Sequence, residues 1–422
     1  MKRRHFLLAA AAGLLAAPFA LRPRAAGGSY DAYFQALNAE LKAQGPMRPC
    51  MLLDLDRLDQ NIATLRASIR APKHYRVVAK SLPSVKLIDY IFQRAQTRRL
   101  MAFHQPFLNL EVRAFPDADI LLGKPLPVGS AQLFYRQHKG AFNPARQLQW
   151  LIDTPARLHE YFELARALGT RLRINIEIDV GLHRGGVQDV ETLRILLSTI
   201  AQNSGQLEFA GFMGYDPHVV KLPRIAGSRE GLFAAVLKRY RTFTDFAQRE
   251  YPQLWRENLT LNGAGSPTYR LYEQDTLVND LSVGSGLVKP TDFDLDTLSE
   301  HKPALFIATP VLKSANGLHL PELDGLSQAL RWWDPNNRRG FFVYGGYWQA
   351  KPESPPGLRV NALYGRSSNQ ELLTGSSQVE LAVNDHVFLR PTQSEGVMLE
   401  FGDLLVLRGG KIVDQWPVLT QT

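Results

Sequence analysis

Eight short apolar runs, each ending in polar or glycine-rich residues and separated by helical patterns, constrain this chain more than any other feature. The runs end near Lys80, His104, Gly123, Asp153, Asp179, Tyr215, Gly263 and Val283. Between them apolar residues recur at helical spacing, most plainly over 84–93, 155–168, 190–200 and 230–249, and more weakly over 131–138. Strand-length runs alternating with helix-length patterns call for parallel strands joined by crossover helices. Eight such units predict an α/β fold closed as a (β/α)8 TIM-type barrel. In a barrel the strand ends share one mouth, where the chemistry sits. That placement gathers His104, Gly123-Lys124, Asp179-Val180-Gly181-Leu182-His183-Arg184 and Tyr215-Asp216-Pro217-His218 on one face.

The flanks read differently. A polar helix pattern over 30–44, a short strand over 51–56 and a helical pattern over 57–69 come first. From about Pro303 short strand-like runs appear, with aromatic pairs at Trp332-Trp333 and Tyr347-Trp348. Turn signals follow at Pro335-Asn336-Asn337, Gly345-Gly346 and Gly409-Gly410. The reading is a barrel over 48–300 and a β-rich C-terminal domain over 301–422, with the strand 51–56 a candidate member of the second domain. A chain of 422 residues, 45% hydrophobic, is long enough for both cores.

The first 26 residues read as a targeting segment. Met1-Lys2-Arg3-Arg4-His5-Phe6 places paired arginines before an apolar stretch ending at Leu21, which resembles a twin-arginine export signal. The stretch is shorter than the roughly 18 residues of a membrane span. Ala20 and Ala26 are the cleavage candidates, each with a poor residue two positions upstream, so a retained anchor stays open. The expected location is the periplasm, with no other membrane association. Lys2, Arg3, Arg4, Arg22 and Arg24 supply five of the formal +9 charges, and the remaining +4 is scattered. That excludes a nucleic-acid footprint. Cys50 is the sole cysteine, so neither an internal disulfide nor a thiolate metal cluster is available.

Lys80 closes the run Tyr75-Arg76-Val77-Val78-Ala79-Lys80. A lysine there is either a surface side chain or, when buried, an amine nucleophile toward carbonyl groups. The last two runs pass into Leu261-Asn262-Gly263-Ala264-Gly265-Ser266 and Val283-Gly284-Ser285-Gly286. Glycine lets backbone N–H groups converge on an anion, serine adds a hydroxyl, and loops after the last two strands of a barrel are the usual phosphate site. A phosphate site opposite a carbonyl-capturing lysine suggests pyridoxal phosphate.

On these residues the chain resembles the alanine-racemase-like (fold type III) pyridoxal-phosphate enzymes, and most nearly their D-threonine aldolase and D-serine dehydratase-like branch. The matching stretches are Met51–Leu58 with Asn61, Val77–Lys80, Glu177–Gly181 followed by Arg184-Gly185-Gly186-Val187, Gly214-Tyr215 with His218, Gly263–Tyr269, Gly284-Ser285, and Asn384-Asp385 leading into Arg390-Pro391. The resemblance implies that Lys80 is the Schiff-base lysine and that Arg184 faces the pyridine nitrogen, leaving it unprotonated. Gly263, Gly265, Ser266, Gly284 and Ser285 would hold the phosphate. Tyr215 would add a hydroxyl or serve as a buried structural tyrosine. His218 is the first candidate for proton transfer, with His104 and His183 also at the mouth, and Lys124 is the competing strand-end lysine. An ion pair with Asp179 is the alternative role for Arg184. A homodimer is implied as well, with Trp332, Trp333, Tyr347 and Trp348 as candidate junction residues.

The pattern breaks near the C-terminus. Metal-dependent members of this branch place a histidine after a proline and, two residues further on, a cysteine or aspartate. Here the run is Pro391-Thr392-Gln393-Ser394-Glu395-Gly396. Glutamine is a poor ligand for a zinc-like ion, whereas a carboxylate still suits harder cations. A divalent metal at Glu395 with Gln393 is therefore left open, with Asp385 and His386 nearby in sequence. The expected function is a pyridoxal-phosphate lyase acting on D-β-hydroxy amino acids by aldol cleavage or dehydration. The alternatives are an amino-acid racemase, a non-catalytic cofactor- or amino-acid-binding protein, and a barrel acting on phosphorylated sugars.

Overall fold

The computed structural model describes residues 22–420, apart from 224, 226 and 321. Residues 1–21, which hold most of the expected export segment, lie outside the described residues. Among the described residues no helix is long and apolar enough to cross a membrane.

The chain forms two compact units. One comprises Asp54–Ala304, Gln393–Leu404 and the segment from Gln415; the other runs up to Leu53 and adds Leu305–Thr392 and Leu405–Asp414. Strand β1 (Cys50–Asp54) lies ahead of the barrel strands. These are β2 (His74–Val78), β3 (Arg99–Ala102), β4 (Asp119–Leu122), β5 (Leu148–Ile152), β6 (Leu172–Glu177), β7 (Leu207–Met213), β8 (Thr260–Gly263) and β9 (Asp280–Val283). All eight pair in parallel with their neighbours, and β9 closes on β2, so the barrel is complete. Each expected run is a strand.

Local chemistry explains why some helices were legible. Pro155–Leu168 begins behind Thr154, whose hydroxyl accepts the Arg157 N–H, and ends at Gly169 in the left-handed region at φ 60°. Proline just inside the start and glycine just past the end are the signals a helix leaves in sequence. Gln105–Ala114 was not singled out, because two of its buried positions, Gln105 and Glu111, are polar and interrupt the apolar stripe.

Glu111 is fully buried, its Oε2 has no hydrogen-bond partner, and burial pushes its pKa up to about 8 from the ordinary 4.5. Between those two values the unfolded chain has released this proton while the folded chain still holds it. Stability therefore falls as pH rises through that window. In Glu111→Gln the decline is expected to flatten, read as urea midpoints across the window; a slope equal to wild type would refute this assignment.

The barrel interior carries a polar layer where aliphatic side chains are usual. Gln149 on β5 donates to the Thr260 hydroxyl on β8 at 2.9 Å, a bond between strands that are not neighbours and so crosses the interior. Asn262 donates to Asp280 at 2.6 Å, and the fully buried Arg76 pairs with Asp280 and Asp119 at 2.7 Å each.

The second unit is built on a nine-stranded sheet. Its strands after β1 are β10 (Leu305–Ala315), β11 (Arg339–Tyr344), β12 (Ala350–Ser354), β13 (Arg359–Val360), β14 (Gln370–Gly375), β15 (His386–Pro391), β16 (Asp403–Arg408) and β17 (Lys411–Pro417). β1 pairs antiparallel with β10, Cys50 opposite Ala308, so the early strand does join this sheet. Phe34, Leu37 and Leu41 of the helix Ala32–Gln44 pack with Leu52, Phe306 and Phe388 as its core. Trp332-Trp333 do not mark a strand but end the helix Asp324–Trp333, whose inward position is Ser327, bonded to Leu323 and Leu320. Asp385 accepts from Asn38 and Lys42, and His386 is buried in β15, where burial lowers its pKa to about 4. Both serve this unit's structure.

Candidate active site

β2 ends at Val78, and one tight turn, Ala79–Ser81, carries Lys80 over the barrel mouth. Lys80 Nζ lies 2.8 Å from Glu395 Oε1 and 5.0 Å from the centre of the Phe103 ring. Because β9 runs beside β2 with Val283 opposite Val77, the loop that follows β9 lies against the Lys80 turn. A Cβ on Gly284 would stand 2.8 Å from Val78 Cβ and 3.0 Å from Ser81 Cβ, so only glycine fits without moving the strand that leads to Lys80. Ser285 donates to the Ser81 hydroxyl at 2.9 Å.

The loop after β8 is tied to the one after β9. Ser266 Oγ accepts the N–H groups of Gly284 and Gly286, at 3.3 and 2.9 Å. Behind it runs a brace that sequence reasoning missed. The Gly265 N–H donates to Thr268, the Thr268 hydroxyl donates to Asp216 at 2.7 Å, and the Tyr272 hydroxyl donates to the other Asp216 oxygen at 2.8 Å. Asp216 is fully buried, and burial pushes its pKa up to about 6. Asp216 sits beside Tyr215 in a stretch already singled out, but nothing local shows that a buried acid there would hold a loop fifty residues away.

These elements enclose a cavity of about 170 Å³ whose lining includes Lys80, Arg184, Tyr215, Gly265, Ser266, Gly284 and Ser285. Gly263 is not on the lining; it lies inside β8 facing Val278 and Tyr272. Ser81, Phe103, Lys221, Asn262 and Phe293 line the cavity without having been expected. Ser81 adjoins Lys80, and Asn262 lies in a quoted run; Lys221 and Phe293 carried no signal.

Arg184 forms no salt bridge among the described residues, and its guanidinium lies 5.1 Å from the centre of the Tyr215 ring. The alternative pairing with Asp179 is not made. His183 Nδ1–H donates to Asp179 Oδ2 at 2.6 Å, and the N–H groups of Gly181 and His183 take its other oxygen. Glu177, at the end of β6, is pushed up to about 7 by burial and by Asp153, with Arg184 opposing. Burial also raises the Tyr215 hydroxyl.

The histidines do not converge. His218 is absent from the cavity lining and rests against Gly181, with its Nδ1 buried and unpartnered. His104 and Lys124 line a more open recess that shares Lys80, Arg184 and Glu395 with the cavity. Burial and Lys124 lower the His104 pKa. Gln393 reaches the cavity, but its Nε2 donates to Asp292 at 2.6 Å. Among the described residues no group of three or more His, Cys, Asp or Glu side chains could hold a metal ion.

The cavity suits pyridoxal phosphate. A lysine amine stands beside two tied glycine–serine loops that can cradle an anion, and an arginine without a salt-bridge partner lies over the same space. Residues 53–291 match the family described as alanine racemase, N-terminal domain. No curated protein matches the sequence. Among solved structures, the chain resembles D-threonine aldolase from Filomicrobium marinum, with TM-score 0.69 and 17% identity over 89% of this chain and 97% of that one. It also resembles alanine racemase from Bacillus anthracis, with TM-score 0.66 and 14% identity over 88% and 98%. D-threo-3-hydroxyaspartate dehydratase from Delftia sp. HT23 is similar too, with TM-score 0.64 and 16% identity over 88% and 97%. At these identities the structural likeness shows the fold.

Proposed function

The chain belongs to the alanine racemase N-terminal domain family, whose cofactor is pyridoxal phosphate, and from that premise we propose that it is a lyase acting on D-β-hydroxy amino acids. The observation that carries this reading is the placement of Lys80, the two glycine–serine loops and Arg184 around one cavity. When bound, the cofactor supplies an aldehyde for Lys80 and a ring that withdraws electrons from the substrate's Cα. Gly265, Ser266, Gly284 and Ser285 would hold its phosphate, and Arg184 would face the ring nitrogen as a group that stays charged and does not give up its proton. Lys80 and Glu395 face the same space, so both are placed to move protons at the substrate's Cα or its β-hydroxyl. The structural likeness to an aldolase of D-threonine and a dehydratase of D-threo-3-hydroxyaspartate supports the β-hydroxy class.

A racemase is the second reading, favoured by Gln393 and Glu395 standing where the branch's metal-dependent members carry their ligand pair, since proton transfer at Cα asks less of the site than bond breaking at the β-carbon. The twin-arginine-like start of the chain supports export to the periplasm, and the family resemblance supports a homodimer.

The test offers D- and L-threonine and D- and L-serine to the purified, cofactor-loaded protein, with and without a chelator. Glycine plus aldehyde identifies an aldolase, and an oxo acid plus ammonia a dehydratase; either from the D-isomers is the expected result. Inverted substrate alone identifies a racemase. No turnover of any of them would sink the enzyme reading.

A further inference from the structure

The C-terminal segment Gln393–Leu404 belongs to the barrel unit and brings Glu395 onto Lys80, Oε1 to Nζ 2.8 Å. The neighbouring polar side chain, Gln393, is turned to Asp292. The donor set at this end of the cavity is thus one carboxylate already facing a cation. A divalent ion held by Glu395 would sit against the Lys80 ammonium, and two like charges about 4 Å apart near a protein surface repel by roughly 4 kcal/mol per pair of unit charges. While Lys80 is an ammonium, these residues do not fit a metal. We propose that Glu395 is the proton acceptor for Lys80 when that lysine captures its carbonyl, and that this step needs no metal. The proposal rests on the pyridoxal-phosphate reading above.

The chemistry balances without a further reagent. An ammonium has no lone pair with which to attack. One of its three protons passes to the Glu395 carboxylate, the freed pair forms the C–N bond to the aldehyde carbon, and the other two protons leave with the carbonyl oxygen as water. The products are a neutral imine, water and protonated Glu395, and nothing is oxidised or reduced. The proton then waits beside the nitrogen for the reverse reaction.

The exposure of the pair argues against a purely structural role. Both side chains are about two-fifths exposed, at 40% and 39%, and an ion pair so open to solvent contributes only about 0–1 kcal/mol to stability. Arg184, Tyr215 and Lys221 in the cavity, and His104 and Lys124 in the recess, are the other titratable groups facing the spaces that Glu395 lines.

The experiment uses full-length protein stripped of cofactor and analysed for metal content. Pyridoxal phosphate is added, and the absorbance of the lysine imine is followed in time across pH for wild type, Glu395→Gln and Glu395→Asp. Binding of pyridoxine phosphate, which lacks the aldehyde, reports whether each variant keeps its cavity. Loading of Glu395→Gln is expected to be about 100-fold slower near neutral pH, with its rate profile displaced to higher pH, unchanged pyridoxine-phosphate affinity and partial recovery in Glu395→Asp. Wild type is expected to hold no stoichiometric metal. A wild-type-like rate profile in Glu395→Gln overturns the proposal alone, as does one metal per chain that the variant loses. Wild type that forms no imine overturns it together with the cofactor reading beneath it.

Discussion

Lys80→Ala is expected to fold normally and to lose both the cofactor's covalent attachment and turnover. The stability cost is small because the side chain is 40% exposed and its partner Glu395 39%, a pair worth about 0–1 kcal/mol. The contact over the Phe103 ring, at 5.0 Å, adds about 0.5–1 kcal/mol. Against a typical domain stability of about 5–15 kcal/mol neither loss unfolds the protein. The chemical cost is of another size, since the residue is the proposed nucleophile and a proton-transfer group together. A fall of about 10⁴-fold or more in turnover is expected. Borohydride reduction followed by peptide mapping should label Lys80 in wild type and in a Lys124→Ala control, and label nothing in Lys80→Ala. A label on any other lysine in wild type would remove Lys80 from its role.

Arg76→Leu is expected to have the largest effect on stability. Its guanidinium is fully buried, reaches Asp280 and Asp119 at 2.7 Å each, and donates to the carbonyls of Leu100 and Asp119 at 3.0 Å. Burial pulls the Arg76 pKa down, and the two aspartates more than reverse that. Leucine would leave Asp280, itself fully buried, with Arg99 at 3.0 Å and Asn262 at 2.6 Å as its remaining partners. Breaking a buried pair from one side costs about 3–5 kcal/mol, because the other charge stays desolvated. Urea unfolding should show that loss. Replacing Asp280 with leucine in the same protein should recover part of it, since the fully buried carboxylate is then removed with its partner, while the half-buried Asp119 keeps Arg173 at 3.5 Å. A single variant within about 1 kcal/mol of wild type would mean that Arg99 and Asn262 carry the layer without Arg76. Asn262 also lines the cavity, so the single variant is expected to weaken cofactor binding as well.

The barrel was legible because its signals are local. Strand runs, the glycine after Leu168 and the proline before Ala156 act through the dihedral angles of a few neighbouring residues. The two glycine–serine loops were legible for a related reason: Gly265, Ser266, Gly284 and Ser285 are residue types that allow close backbone approach, and their order along the chain placed them after the last two strands, where they line one cavity. The histidines were not legible. His218 follows a stretch that resembles the family, yet which way it turns depends on the path after Tyr215, and it comes to rest against Gly181. The brace from Asp216 to Thr268 was hidden because it links loops of different strands.

Lys80 marks the division. The sequence by itself determined that a lysine follows the first barrel strand and that two glycine–serine loops follow the last two, because strand periodicity and glycine's backbone freedom are short-range properties. Only the tertiary structure decided what faces that lysine. β9 closing on β2 brings Ser285 to Ser81, and the segment beyond Thr392 brings Glu395 to the Lys80 ammonium. Such partners are set by ring closure and by chain return over long sequence separations, where no local propensity acts and packing alone chooses the neighbour.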